Sequence, residues 1–280
     1  MYHLKDITTS EFTQWDEVVL HCPYSSAFHS AQWIMALEKS FRQLKSEKFL
    51  LESEDNIIGV LPCFVFQPIP FSKMLLSMPW NLFGGPLIAE YVTVDFTEII
   101  KSIDAQLSEF IDKRSICETA ITLSPHHPEE IKTALSRAGY EKREELFTHL
   151  LKTNPEYEII WNAYNKRVRG AVRKAEKTGV IVRDSESEKD LTAFYKIYLD
   201  SMKRLSGTPK PFSLLKTLQL SPIAKLAVAE LQGSIIAGLL YLFFNRTVNL
   251  WCGASMPEFR EYRPNNAIFH HIIRWACKQG

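Results

Sequence analysis

The chain has 280 residues, 46% of them apolar and 23% charged, with a formal net charge of +1, which describes a soluble globular protein long enough for about two domains. The longest apolar run, over 235–244, is too short to cross a bilayer; the first residues, Met1-Tyr2-His3-Leu4-Lys5-Asp6, hold no apolar leader; and five scattered cysteines without a CxxC pair exclude a disulfide framework and point to a reducing compartment. A cytoplasmic protein is expected, with a peripheral contact to anionic lipid left open.

Residues 4–20, with Trp15 and Val18-Val19-Leu20, read as a first helix. Ser30 is placed to cap a helix over 31–41. Strands over 48–52 and 57–66 flank the turn signal Glu54-Asp55-Asn56 and make a hairpin that Pro68 and Pro70 end. Phe83-Gly84-Gly85-Pro86 has neither GxGxxG nor GK[ST] spacing, so it reads as close backbone packing and not as a phosphate cradle. The period over 96–111 aligns Ile99, Ile100, Ile103 and Leu107 on one helix face. A strand over 115–123, a helix over 128–138 stopped by Gly139 and a strand over 146–151 follow. The second half reads as a helical segment over 157–178, a short strand from Ile181, a helix over 191–205, a loop over 206–211 and a short helix over 212–220. Strands over 224–231, 235–244 and 248–252, a polar loop over 256–264 and a helix over 265–279 with Gly280 as its stop complete the chain.

The most distinctive stretch is Asn165-Lys166-Arg167-Val168-Arg169-Gly170-Ala171-Val172-Arg173-Lys174-Ala175-Glu176-Lys177-Thr178-Gly179. On a helix its six cations fall within an arc of roughly 160°. Val168, Ala171, Val172 and Ala175 fill the opposite side, and Gly179 marks the stop. A charged run is most often a solvated face, but this one is nearly one-signed in an almost neutral chain. Lys166, Arg169, Arg173 and Lys177, at spacings of three and four, make the candidate stripe for a polyanion such as a diphosphate or a nucleic-acid backbone.

An internal repeat is visible. Asn56-Ile57-Ile58-Gly59-Val60-Leu61 matches Ser234-Ile235-Ile236-Ala237-Gly238-Leu239, and Cys63-Phe64-Val65-Phe66 matches Tyr241-Leu242-Phe243-Phe244. Each hairpin follows helices, so the chain reads as two copies of one α/β unit, 1–145 and 146–280.

The element order, together with Phe28-His29-Ser30-Ala31-Gln32-Trp33, the basic helix, Phe194-Tyr195-Lys196-Ile197-Tyr198 with Met202-Lys203-Arg204-Leu205, and Pro264-Asn265-Asn266-Ala267, resembles the FemAB-like transferases of the GNAT superfamily. The resemblance implies two tandem GNAT-like domains, each with a mixed, mostly antiparallel sheet flanked by helices. It implies N-acyl or aminoacyl transfer to an amine on an anionic peptidoglycan or exopolysaccharide precursor. The donor would be aminoacyl-tRNA or acyl-CoA, with no tightly bound cofactor. An anionic small-molecule or lipid-linked substrate, and tRNA, are the implied partners. Two features depart from the superfamily. The Gly-x-Gly turn that holds the CoA pyrophosphate is absent from Gly253-Ala254-Ser255-Met256-Pro257-Glu258-Phe259-Arg260-Glu261-Tyr262-Arg263-Pro264, which implies weak acetyl-CoA binding. The family also continues past the last helix into further strands, so this chain is expected to be a fragment or to have a second domain one strand short.

No Ser-His-Asp or Cys-His arrangement is recognisable, so nucleophilic hydrolysis is not supported. His126-His127 and His270-His271 lack metal-ligand spacing, and no metal is expected. The catalytic residues stay unassigned. Arg204, beside the Gly207-Thr208-Pro209 loop, and Arg260 and Arg263, where GNAT proteins hold a pyrophosphate, are further candidate anion contacts; Tyr198 is a candidate substrate contact weighed against plain core packing. Two alternatives stand beside the FemAB-like reading: an acyl-CoA-dependent N-acyltransferase, and a degenerate pair that binds RNA or an acidic partner without catalysis.

Overall fold

The computed structural model describes residues 2–54, 56–92 and 95–279. Asp55 of the turn signal and Gly280, the expected helix stop, lie outside the described residues. The chain divides into two compact units, Met1–Phe147 and Thr148–Gly280.

In the first unit β1 (Tyr2–Asp6), α1 (Phe12–Leu20), α2 (Ala31–Ser40), β2 (Lys45–Ser53), β3 (Asn56–Ile69), β4 (Ser72–Leu76), β5 (Leu87–Ile88), α3 (Phe96–Arg114), β6 (Ile116–Ala120) and α4 (Glu129–Arg137) follow in order. The sheet runs β1-β2-β3-β4-β6, with β5 also on β3; β4 and β6 are parallel and the other pairs antiparallel. Ser30 does cap α2, its hydroxyl accepting from the Trp33 amide at 3.3 Å. The expected first helix begins only at Phe12, because Tyr2–Asp6 finds a ladder on β2. Pro68 does not end β3, since β4 remains paired with it as far as Ile69↔Ser72. The strand expected over 146–151 is absent: among the described residues it has no partner strand, and Leu146, Phe147, Leu150 and Leu151 are exposed.

The second unit contains α5 (Tyr157–Ala163), α6 (Lys166–Lys177), β7 (Ile181–Ser185), α7 (Glu188–Arg204), α8 (Phe212–Gln219), β8 (Ala224–Leu231), β9 (Ser234–Phe244), β10 (Thr247–Ser255) and α9 (Pro264–Gln279). Its antiparallel sheet has the order β10-β9-β8-β7. The segment 157–178 is two helices, not one. The Asn165 side chain accepts from the Val168 amide at 2.9 Å and starts α6 afresh. Ala175 of α6 and Ile268 and Ile272 of α9 share one core with Ile236, Leu239 and Tyr241 of β9. The residues 257–262, expected as loop, form a 3-10 turn that leads through Arg263, at φ 60°, into α9.

The repeat is real at the level of single residues. In both hairpins the register slips once. Leu51 pairs with Gly59 but Glu52 with Ile57, leaving Ile58 as the extra residue. Ala229 pairs with Ala237 but Glu230 with Ile235, leaving Ile236. Ile58 and Ile236 are the residues that the sequence alignment puts opposite each other, so both units carry the same β-bulge.

The fourth strand of each unit is interrupted at one equivalent place. In the second unit β10 slips past β9 between Leu250↔Tyr241 and Cys252↔Leu240, with Trp251 as the extra residue. In the first unit β4 leaves β3 after Leu76↔Phe64, and β5 resumes on the same side of β3 at Leu87↔Val60. The one-residue bulge of the second unit is thus a long excursion, residues 77–86, in the first. That excursion is tied to the segment after β6: the Gly84 and Gly85 amides both donate to the Thr122 carbonyl at 3.0 Å. A Cβ on Gly84 would lie 2.4 Å from the Ser77 carbonyl oxygen. The glycines therefore serve close backbone packing, as their spacing suggested.

Candidate functional site

The helix after the fourth strand differs between the units in the charge at its start. In the first unit α3 is capped by Asp95, whose carboxylate accepts from the Thr97 amide at 2.8 Å, and Glu98 follows in the first turn. Acidic groups there satisfy the helix dipole internally and repel an anion. In the second unit α9 starts at Pro264 behind Arg263, with no acidic residue in its first turn. Pro264 has no N–H to offer, and the Ala267 amide donates to the Arg263 carbonyl at 3.2 Å. An anion at this end of α9 would depend largely on side chains.

Those side chains are present. A cleft of about 570 Å³ opens between α6 and the start of α9, lined by Asn165, Arg167, Gly170, Ala171, Lys174, Arg263 and Asn266. Arg167, Gly170, Ala171 and Lys174 fall on one stripe of α6. Gly170 leaves the cleft wall open, for a Cβ there would meet nothing within 4 Å. Among the described residues Arg167, Lys174 and Arg263 have no carboxylate partner, so the cleft carries three uncompensated cations.

The structure divides the cations that the sequence grouped. Lys166 and Lys177 are exposed on α6 outside the cleft lining. Arg169 turns back onto the α5–α6 turn, donating to the carbonyls of Asn162, at 2.9 Å, and Tyr164. The Arg173 guanidinium lies 5.6 Å from the centroid of the Trp161 ring. Arg260 is exposed on the 3-10 turn, while Arg263 faces the cleft. Arg204 borders a smaller depression of about 60 Å³ shared with Asp200 and Glu258, and its guanidinium donates to the Ser201 hydroxyl at 3.2 Å. Tyr198 is buried, and its hydroxyl accepts from the Lys210 amide at 3.0 Å. Ala171, which the sequence put on the packed face, is half-buried at the cleft.

Periodicity missed Arg167 and Lys174 as a separate stripe because both lie within the same broad cationic arc. It also missed Lys210. Tyr195 donates to the Lys210 carbonyl at 3.1 Å while Tyr198 holds its amide, so two rings of α7 clamp this residue. Burial lowers the Lys210 amine below its ordinary range, with the Cys252 thiol nearby opposing that shift. Burial pushes the Cys252 thiol up to about 12, which keeps it protonated and a poor nucleophile. Lys210 thus lies beside the residue that follows the Trp251 bulge.

His270 and His271 diverge as adjacent helical positions must. His270 Nδ1 lies 2.9 Å from the Tyr157 hydroxyl within a ring cluster of Tyr157, Trp161 and Tyr164. His271 Nε2 lies 3.2 Å from Asp184, which also accepts from Tyr241 at 3.3 Å.

The GNAT acetyltransferase domain family matches residues 162–280, which include all of α6, the bulged strand and α9. No curated protein matches the chain. Solved structures with the same fold include FemX, at 14% identity over 99% of this chain and 86% of that one, with a TM-score of 0.71. The C-terminal domain (DUF2156) of a putative lysylphosphatidylglycerol synthetase from Agrobacterium fabrum is 12% identical over 98% of this chain and 77% of that one, with a TM-score of 0.57. A tandem GNAT protein from the clavulanic acid biosynthesis pathway is 10% identical over 99% and 87%, with a TM-score of 0.55. These likenesses give the fold, two GNAT-like domains in tandem. The family match itself lies in the second half of the chain, over residues 162–280. No helix among the described residues is long and apolar enough to cross a membrane.

Proposed function

We propose that the second unit joins an acyl or aminoacyl group to an amine on an anionic cell-wall or exopolysaccharide precursor, and that the α6–α9 cleft holds phosphate groups of one substrate. The observation that carries this is the set of three uncompensated cations, Arg167, Lys174 and Arg263, gathered with Asn266 at a helix start free of acids. Acyl transfer also needs donors for the tetrahedral oxyanion. The bulge at Trp251, where the β10 register shifts, is the proposed place for the transferred carbonyl. The clamped Lys210 is a candidate for proton transfer with the acceptor amine, since a lowered pKa brings a lysine closer to the operating range of a general base. The two compact units would be the two domains, divided near residue 145, with transfer assigned to the second.

The donor is aminoacyl-tRNA or acyl-CoA. The acyl-CoA reading draws support from the GNAT acetyltransferase match. A lysylphosphatidylglycerol synthetase domain with the same fold makes a lipid-linked acceptor a natural relative of the cell-wall precursor.

Isothermal titration with CoA, with a nucleotide-linked peptidoglycan precursor and with tRNA tests the cleft. Arg167→Ala and Lys174→Ala should each weaken the true ligand about tenfold to a hundredfold, since a hydrogen bond to a charged group contributes about 1.5–3 kcal/mol. Arg169→Ala should leave that affinity unchanged and lower stability by about 1 kcal/mol through its lost carbonyl contacts. Steep salt dependence would single out tRNA. Equal affinity of wild type and the Arg167 and Lys174 variants for every ligand would remove the phosphate assignment.

A further inference from the structure

In the first unit β3 last pairs with β2 at Val65↔Lys45 and then runs on paired only with β4, on its other edge. At about 3.3 Å per residue, Phe66 to Ile69 carry the ribbon about 13 Å beyond β2. Its apex is Gln67-Pro68-Ile69-Pro70-Phe71-Ser72. Ile69 is 63% exposed and Phe71 94% exposed. Phe71 has φ 65°, a conformation that bulky L-residues adopt only at a cost. No packing among the described residues repays that cost.

The charge around the apex is one-sided. Residues 56–89 contain no Asp or Glu and one Lys, Lys73. The Lys73 ammonium donates to the Arg114 carbonyl at 2.9 Å, which brings the cationic end of α3, Lys113 and Arg114, beside the ribbon. Lys113 pairs with Glu109 and Arg114 with Glu47, whereas among the described residues Lys45 and Lys73 pair with no carboxylate.

We propose that this hairpin apex is a contact for an anionic lipid surface, with Ile69 and Phe71 entering the acyl boundary and Lys45 and Lys73 meeting the phosphates. Three features favour a bilayer over a protein partner. The apex is convex, so it offers no groove. Pro68 and Pro70 have no N–H, so the tip cannot recruit a strand from a second copy by ladder pairing. An apolar point backed by cations is the arrangement that interfacial anchoring uses. The proposal does not depend on the transfer chemistry, because vesicle binding is read without substrate.

Cys117 provides the reporter. It is the exposed cysteine, the other four being buried, and its Sγ lies 3.5 Å from the Phe71 carbonyl. The full chain, labelled there with an environment-sensitive fluorophore, is titrated with vesicles of phosphatidylglycerol and phosphatidylcholine and with phosphatidylcholine alone. A blue shift and co-sedimentation with the anionic vesicles are expected, together with weak response to the neutral ones. Ile69→Ser with Phe71→Ser should weaken binding at least tenfold at unchanged thermal stability, and Lys45→Glu with Lys73→Glu should do so in a salt-dependent manner. Absence of wild-type binding to anionic vesicles, or equal binding by the Ile69 and Phe71 variant, would overturn the proposal. So would self-association in analytical ultracentrifugation that this variant abolishes without any vesicle binding, since that result assigns the apex to a second copy.

Discussion

Acidification from pH 6.5 to 4.5 is expected to remove about 5 kcal/mol of stability from the first unit, through His29 and His127. Both imidazoles are buried. Each occupies the same local device, a Ser-x-x-His turn in which Nδ1 accepts from the serine amide, at 3.2 Å from Ser26 and 2.9 Å from Ser124. Nδ1 therefore has no place for a proton, and among the described residues Nε2 of His29 has no hydrogen-bond partner. Burial is the main cause that lowers His29 to about 3 and His127 to about 4. Because both folded values lie below the ordinary value near 6.5, the unfolded chain binds the extra protons. The penalty is absent above pH 6.5, grows as pH falls, and levels off only near pH 3–4. Each histidine contributes about 2.7 kcal/mol by pH 4.5. Thermal unfolding between pH 7 and 4.5 measures this. The double variant His29→Gln with His127→Gln should flatten the acid slope, and an unchanged slope would show that other groups govern it.

The second large effect is expected from Gly59→Ala. A Cβ at Gly59 would lie 2.2 Å from the Leu87 carbonyl oxygen and 3.0 Å from the side chains of Ile88 and Leu51. Gly59 sits between β2 and β5, paired with Leu51 on one side and Ile88 on the other, so the obstacle is backbone and cannot rotate away. A loss of about 3 kcal/mol or more is expected, at the upper end of overpacking. Gly238→Ala in the second unit is the instructive contrast. Its Cβ would come within 2.5 Å of the Phe194 ring, which is a side chain. Phe194→Leu should restore part of the Gly238→Ala loss, a coupling that a double-mutant cycle reads directly. No side-chain substitution should rescue Gly59→Ala. Chemical denaturation of the single and double variants decides the matter.

The sequence carried the fold where local chemistry and packing agreed. The Ser30 cap, the positive-φ Gly139 stop, and the paired hairpins with their shared Ile58 and Ile236 positions were all readable. It failed where tertiary pairing decides. Residues 2–6 became strand because β2 offers a ladder, and 146–151 did not because no strand among the described residues meets it. Pro68 stayed in β3 because a proline at the end of a ladder loses only one donor. The site was readable as charge but not as geometry. A helical wheel shows six cations on α6; it cannot show that α9 lies beside the Arg167–Lys174 stripe while α5 engages Arg169 and Arg173. Lys210 left no signal, since two tyrosines distant in the chain from Cys252 define its setting.

The interrupted fourth strand has an evolutionary consequence. Two copies that keep the same hairpin irregularity at the same residue are the signature of a duplicated ancestor. If transfer needs a short strand gap and an acid-free helix start, as proposed above, only one copy has to keep them after duplication. The other copy is then released from that constraint, and an insertion at the gap becomes neutral with respect to transfer. The excursion over 77–86 and the Asp95 cap both fall in the first copy, the one to which the proposed transfer is not assigned.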